Sequence, residues 1–76
     1  MPHVDIKSFP REFTEEEKQA LADEITEVIV RRFGSKTDSV SVSLRHISPE
    51  QWGSAVYEPE IIGQQAYLIK KPGYSM

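Results

Sequence analysis

One segment orders everything around it. In "TEEEKQALADEITEVIVRRFG", Thr14 stands three residues ahead of Glu17, the spacing at which hydroxyl and carboxylate each satisfy an orphan backbone N–H at a helix start. Glu15 and Glu16 add charge that suits the positive end of the helix dipole, and Arg31 and Arg32 suit the other end. Leu21, Ile25, Val28 and Ile29 recur at helical spacing, and Gly34 supplies the left-handed stop. The segments on either side alternate instead. Val4 and Ile6 oppose His3, Asp5 and Lys7, and Val40, Val42 and Leu44 oppose Ser41, Ser43 and Arg45, the period of half-buried strands. "SFPREF" ends the first run, because Pro10 donates no hydrogen bond and restricts Phe9 before it. Strand, helix and strand in this order make a βαβ unit, whose right-handed crossover lays the two strands parallel.

Two strands and one helix leave one sheet face and both edges uncovered, and a two-stranded sheet is rarely stable alone. A chain of 76 residues also buries a small share of its surface. With no cysteine there is no disulfide, and no Cys/His cluster offers structural zinc, so oligomerisation is the remaining support. A second copy of the chain is the simplest partner, and a homodimer is expected. The net charge of −3, with no long basic run, argues against a nucleic acid partner. No long apolar run or basic leader predicts a membrane span or secretory signal, so a cytoplasmic protein is expected. Past Ser48, which is placed to cap a short helical turn opened by Pro49, the pattern weakens. Pro59, Gly63, Pro72 and Gly73 interrupt Ile61-Ile62 and Tyr67-Leu68-Ile69, and short strands, turns or a brief helix all fit. The expected architecture is α+β: one domain over residues 1–76, a β-α-β protomer with a two-stranded parallel sheet and an irregular C-terminal tail, pairing in a dimer.

The candidate for chemistry is Pro2. Behind an initiator methionine, a small second residue favours removal of the first, and Pro2 would then carry a free secondary amine. The plain alternative is a proline tolerated at the start of an edge strand. "MPHVDIKSFPREFTEEEKQALADEITEVIV" followed by "SVSVSLRHISPEQW" resembles the 4-oxalocrotonate tautomerase family, and "IIGQQAYLIKKPGYSM" is similar to the ending of its phenylpyruvate-type bacterial branch. The resemblance implies a cofactor-independent isomerase, with a β-α-β protomer assembled into dimers or hexamers and Pro2 as catalytic base. It places Arg11 within one position of an arginine that binds the substrate carboxylate, and Trp52 at an aromatic that lines the site. A second arginine of the family aligns with Ser41, which carries no charge. With one cation missing, the resemblance points from a diacid toward a monoacid with an apolar or aromatic body.

The chemistry follows from general principles. Interconverting a 2-oxo acid and its enol moves one proton between oxygen and the neighbouring carbon, which needs a base that is neutral at working pH. Apolar surroundings disfavour the charged form of an amine and lower its pKa. Ile6, Phe9, Trp52 and the partner's tail are candidate walls, and Arg11 would hold the carboxylate and the developing enolate charge. The expected function is enol-keto tautomerisation of phenylpyruvate-type 2-oxo acids, with no cofactor and no metal. Two alternatives stay open. One is a dehalogenase or decarboxylase on the same scaffold, in which Asp5 or Glu12 activates water. The other is a non-catalytic homodimeric binding protein, in which Arg11 is a solvated loop charge and Trp52 is core or interface.

Overall fold

The computed structural model describes all 76 residues. Strand β1, His3–Ser8, pairs in parallel with β2, Ser41–His46, in a register that runs from His3 against Ser41 to Ser8 against His46. Between them lies helix α1, Glu15–Phe33, followed by a short 3-10 turn at Thr37–Ser39. Val4, Ile6, Val42 and Leu44 share one face of the sheet through the alternation of side chains, and all four are half-buried. Helix α1 packs on β2.

The helix ends as its caps dictate. The Glu17 N–H donates to Thr14 Oγ1 at 3.1 Å, and the Thr14 N–H donates to Glu17 Oε1 at 2.9 Å. Such a cap contributes on the order of 1 kcal/mol. Gly34 closes the helix at φ 68°, its N–H donating to the Val30 carbonyl at 2.9 Å. The covered face differs by one position from the expected stripe. Leu21, Ala22, Ile25, Thr26, Ile29 and Val30 are half-buried, whereas Val28 is 45% exposed. Residues paired at i, i+1, i+4 and i+5 straddle the contact line, and Val28 falls outside it.

The tail is more regular than the expected irregular segment. Helix α2, Pro49–Trp52, continues as a wide π-type helix over Gly53–Ile62, with a further 3-10 turn at Gln65–Tyr67. Pro49 does open the first turn, but the Ser48 side chain makes no capping hydrogen bond. Pro59 has no N–H to give, and its ring crowds the carbonyl four residues earlier, so the wider winding suits it better than an α-helix. The Gly63 N–H closes this winding on the Glu58 carbonyl, five residues back, at 2.9 Å. A β-carbon at Gly63 would lie 2.7 Å from the Pro59 carbonyl oxygen, so the ending requires glycine.

Burial is sparse. Only Val56 and Tyr57, both in the π-type segment, are buried. The accessible surface is 6128 Å², against ~4,700 Å² for a folded monomer of this mass. The Cα radius of gyration is 14.1 Å, where a compact chain of this length gives about 11 Å. Phe33, Tyr67 and Ile69 stand in solvent, the last of them fully. No helix is long and apolar enough to cross a membrane.

Candidate active site

Pro2 lies half-buried just before β1, fixed by its carbonyl, which accepts a hydrogen bond from the Ser41 N–H at 3.2 Å. His3 Nδ1 and Ser41 Oγ meet beside it at 2.6 Å. The strand pairing thus brings Ser41, the uncharged residue noted above, next to the start of the chain. Met1 projects fully into solvent.

The opposite end of β1 opens onto a cleft of about 900 Å³. Phe9, Phe13, Trp52, Tyr74 and Met76 give it apolar walls, and Lys7 and Arg11 supply its cations. Phe9 meets the Trp52 indole edge to face, with centroids 5.2 Å apart and planes at 88°. Trp52 Nε1 donates to the Tyr74 hydroxyl at 2.9 Å. The two cations differ in availability. Lys7 is paired with Glu60 and lies 3.9 Å from Asp5. Arg11 forms no ion pair, and its guanidinium sits over the Phe13 ring at 4.5 Å. An aromatic face supports a cation electrostatically while leaving its N–H donors free for an incoming anion.

Arg11 and Trp52 therefore share one cleft, and Pro2 is not among the residues lining it. Pro2 and Phe9 are separated by the length of β1, roughly 23 Å along an extended chain. Within one protomer, Phe9 and Trp52 do not wall Pro2. Lys7, Phe13, Tyr74 and Met76 are among the cleft residues that sequence reasoning missed. The aromatic at position 13 sits in a loop without periodicity, and the last residues of the chain carry no pattern that would send them back to Trp52.

The sheet face opposite Val4 and Ile6 is polar. Asp5 Oδ1 accepts from Ser43 Oγ at 2.5 Å and is ion-paired with Arg45 Nε at 3.3 Å. The Ser43 hydrogen bond is the largest influence on the Asp5 carboxyl and outweighs the opposing desolvation, and the Arg45, Lys7 and His3 charges add to it, so the group is held below the ordinary aspartate value. A carboxylate so engaged is a weaker base for activating water, and Glu12 is exposed without a hydrogen-bond partner. No group of three or more His, Asp or Glu side chains is assembled to hold a metal. Because Asp5 is more acidic in the folded chain, its contribution to stability is complete above about pH 4 and is lost as pH falls through the depressed value. Ser43→Ala removes the largest cause of that depression. The gap in urea midpoint between wild type and S43A is expected to be widest at neutral pH and to close in acid below about pH 4; a gap independent of pH would exclude this linkage.

Comparison with known proteins follows the same lines. Residues 2–59 match the family profile described as "Tautomerase enzyme". Over all 76 residues of both chains, the sequence is 59% identical to Tautomerase PptA of Klebsiella pneumoniae (strain 342). It is 57% identical to Tautomerase PptA of Escherichia coli O127:H6 (strain E2348/69 / EPEC) and 55% identical to that of Escherichia coli O9:H4 (strain HS), again over the full length of each.

Proposed function

We propose, from the premise that the chain belongs to the tautomerase family, that it interconverts 2-oxo acids of the phenylpyruvate type with their enols, using the Pro2 amine to carry the proton. The observation that carries the substrate class is the cleft itself, in which one unpaired guanidinium, Arg11, lies among aromatic walls. A single free cation suits one carboxylate, and Phe9, Phe13 and Trp52 suit a ring. A second carboxylate would meet Lys7, already paired, or Ser41, already bonded to His3.

In the ketonisation direction the neutral Pro2 nitrogen takes the proton of the enol hydroxyl. The oxygen electrons form the C=O bond, the carbon–carbon double bond opens, and the neighbouring carbon receives a proton from the protonated amine. Nothing is consumed, and the amine ends neutral as it began. Arg11 holds the carboxylate and favours the negative charge that passes through the enolate.

These parts work together only across two protomers. Strand β1 has β2 on one side and an unpaired edge on the other. Antiparallel pairing of two such edges about a two-fold axis between Asp5 and Ile6 would set Pro2 of one protomer opposite Phe9 of its partner, at the mouth of the partner's cleft. The surface in excess of a compact monomer, roughly 1,400 Å² per chain, is enough for such a dimer. Closure by apolar walls would also strip water from the amine and lower its pKa.

The test is the ultraviolet decay of phenylenolpyruvate, followed across pH on protein whose first residue is verified by intact mass. The expected profile has an ascending limb in the neutral range, reporting the free amine. A limb appearing only in strong alkali, or no rate above buffer, would overturn the proposal.

A further inference from the structure

The chain's last residues return to the cleft, and nothing in the proton-transfer scheme uses them. After an exposed run at Ile69–Lys71, Tyr74 reaches Trp52, its hydroxyl accepting from the indole Nε1 at 2.9 Å. Its ring leans on Tyr57, a residue of the small buried core, with centroids 5.8 Å apart and planes at 35°. Met76 completes the contact, its terminal methyl 3.5 Å from where a β-carbon on Gly53 would stand. Tyr74 and Met76 thereby form part of the cleft wall. They reach it through a segment that contributes no strand, no helix and no ion pair.

We propose that this terminal strap, Tyr74 to Met76 latched to the Trp52 indole, is the specificity-determining wall that selects an aromatic body on the acid. The inference rests on the tautomerase reading above and extends it. With Arg11 taking the carboxylate, a ring attached to the reacting carbon extends into the apolar part of the cleft, where the strap adds one aromatic face and one thioether. Phe9 and Trp52 already contact each other, so the strap supplies surface that the rest of the wall does not. Tyr74 acts on the ring-bearing end of the substrate and not on the proton, so its loss should weaken binding of aromatic substrates while sparing the chemical step.

Trp52 is the only tryptophan of the chain, so its fluorescence reads the latch directly. Tyr74→Phe removes the hydroxyl acceptor and keeps the ring, and Tyr74→Ala removes both. Far-UV circular dichroism establishes that each variant is folded. The expected result is a shift of Trp52 emission and greater iodide quenching in both variants. With it, Y74A should show a rise of about 3- to 10-fold in KM for phenylenolpyruvate, the worth of one aromatic contact. The kcat, and the KM for the enol of pyruvate, which has no ring, should be nearly unchanged. Equal KM changes for the two enols would overturn the proposal even if the emission shifts, because the strap would then be docked without selecting. Unchanged emission in both variants would also overturn it, because the latch would be absent in solution. If wild-type protein turns over neither enol, the tautomerase reading fails by itself. The wall is then tested by titrating Trp52 fluorescence with 3-phenylpropanoate, where equal affinity in wild type and Y74A would overturn it and weaker binding by Y74A would support it.

Discussion

Protein that keeps a residue ahead of Pro2 is expected to ketonise phenylenolpyruvate about 100- to 10,000-fold more slowly than protein beginning at Pro2, the range that positioned acid–base catalysis supplies. The reason is electronic before it is steric. Joined to Met1, the proline nitrogen is a tertiary amide, its lone pair delocalised into the carbonyl, with no proton to give and almost no basicity. Freed, it is a secondary amine. The fold should not register the difference. Met1 projects into solvent, while Pro2 is held by its carbonyl on Ser41 and β1 begins only at His3. Thermal midpoints of the two forms should therefore agree while their rates diverge. An alanine inserted between Met1 and Pro2 gives the same comparison without relying on a mixed methionine population. Equal rates on mass-verified samples would exclude the amine as base, whatever the profile of the unmodified protein.

The parts of this protein that were legible in its sequence are those made by neighbours in the chain. The Thr14–Glu17 cap, the Gly34 stop and the alternation of β1 and β2 are each set by contacts within a few residues, and each stands where the pattern puts it. The tail was harder because its punctuation misleads. Pro59 and Gly63 read as breaks, yet a wide helix needs no donor from the proline and ends through the glycine. The phase of α1 was legible only to within a residue, since Val28 is apolar and still lies off the contact line. The candidate site was legible as a set of residue types and not as an arrangement. Nothing local sends Tyr74 to Trp52, twenty-two residues earlier. Nor does local pattern show that Phe9 and Trp52, natural walls for an amine, lie at the far end of the strand from Pro2. That separation is a property of an extended chain, and it is why the proposed mechanism draws on a second protomer.

Mixing two deficient variants is therefore expected to restore turnover. In one, Pro2 is blocked by an inserted alanine; in the other, Arg11→Ala removes the carboxylate receptor and should raise KM about 10- to 100-fold, the cost of losing a charge-assisted contact. If each site joins Pro2 of one protomer to Arg11 of its partner, a heterodimer of the two variants carries both lesions in one site and neither in the other. Random exchange of subunits makes half of the dimers mixed, so about a quarter of all sites become intact. Assayed at substrate concentrations well below the KM of R11A, each variant alone should be nearly silent. After unfolding together in urea and refolding as a mixture, the sample should show about a quarter of the wild-type rate, with wild-type KM. The same variants refolded separately and then combined should recover more slowly, at the pace of subunit exchange. Should Pro2 and Arg11 instead serve one site within one chain, every mixed dimer holds two damaged sites and no mixing protocol raises the rate. With each variant alone well below wild type, the outcome turns only on whether the two lesions fall in the same site when they lie on different chains.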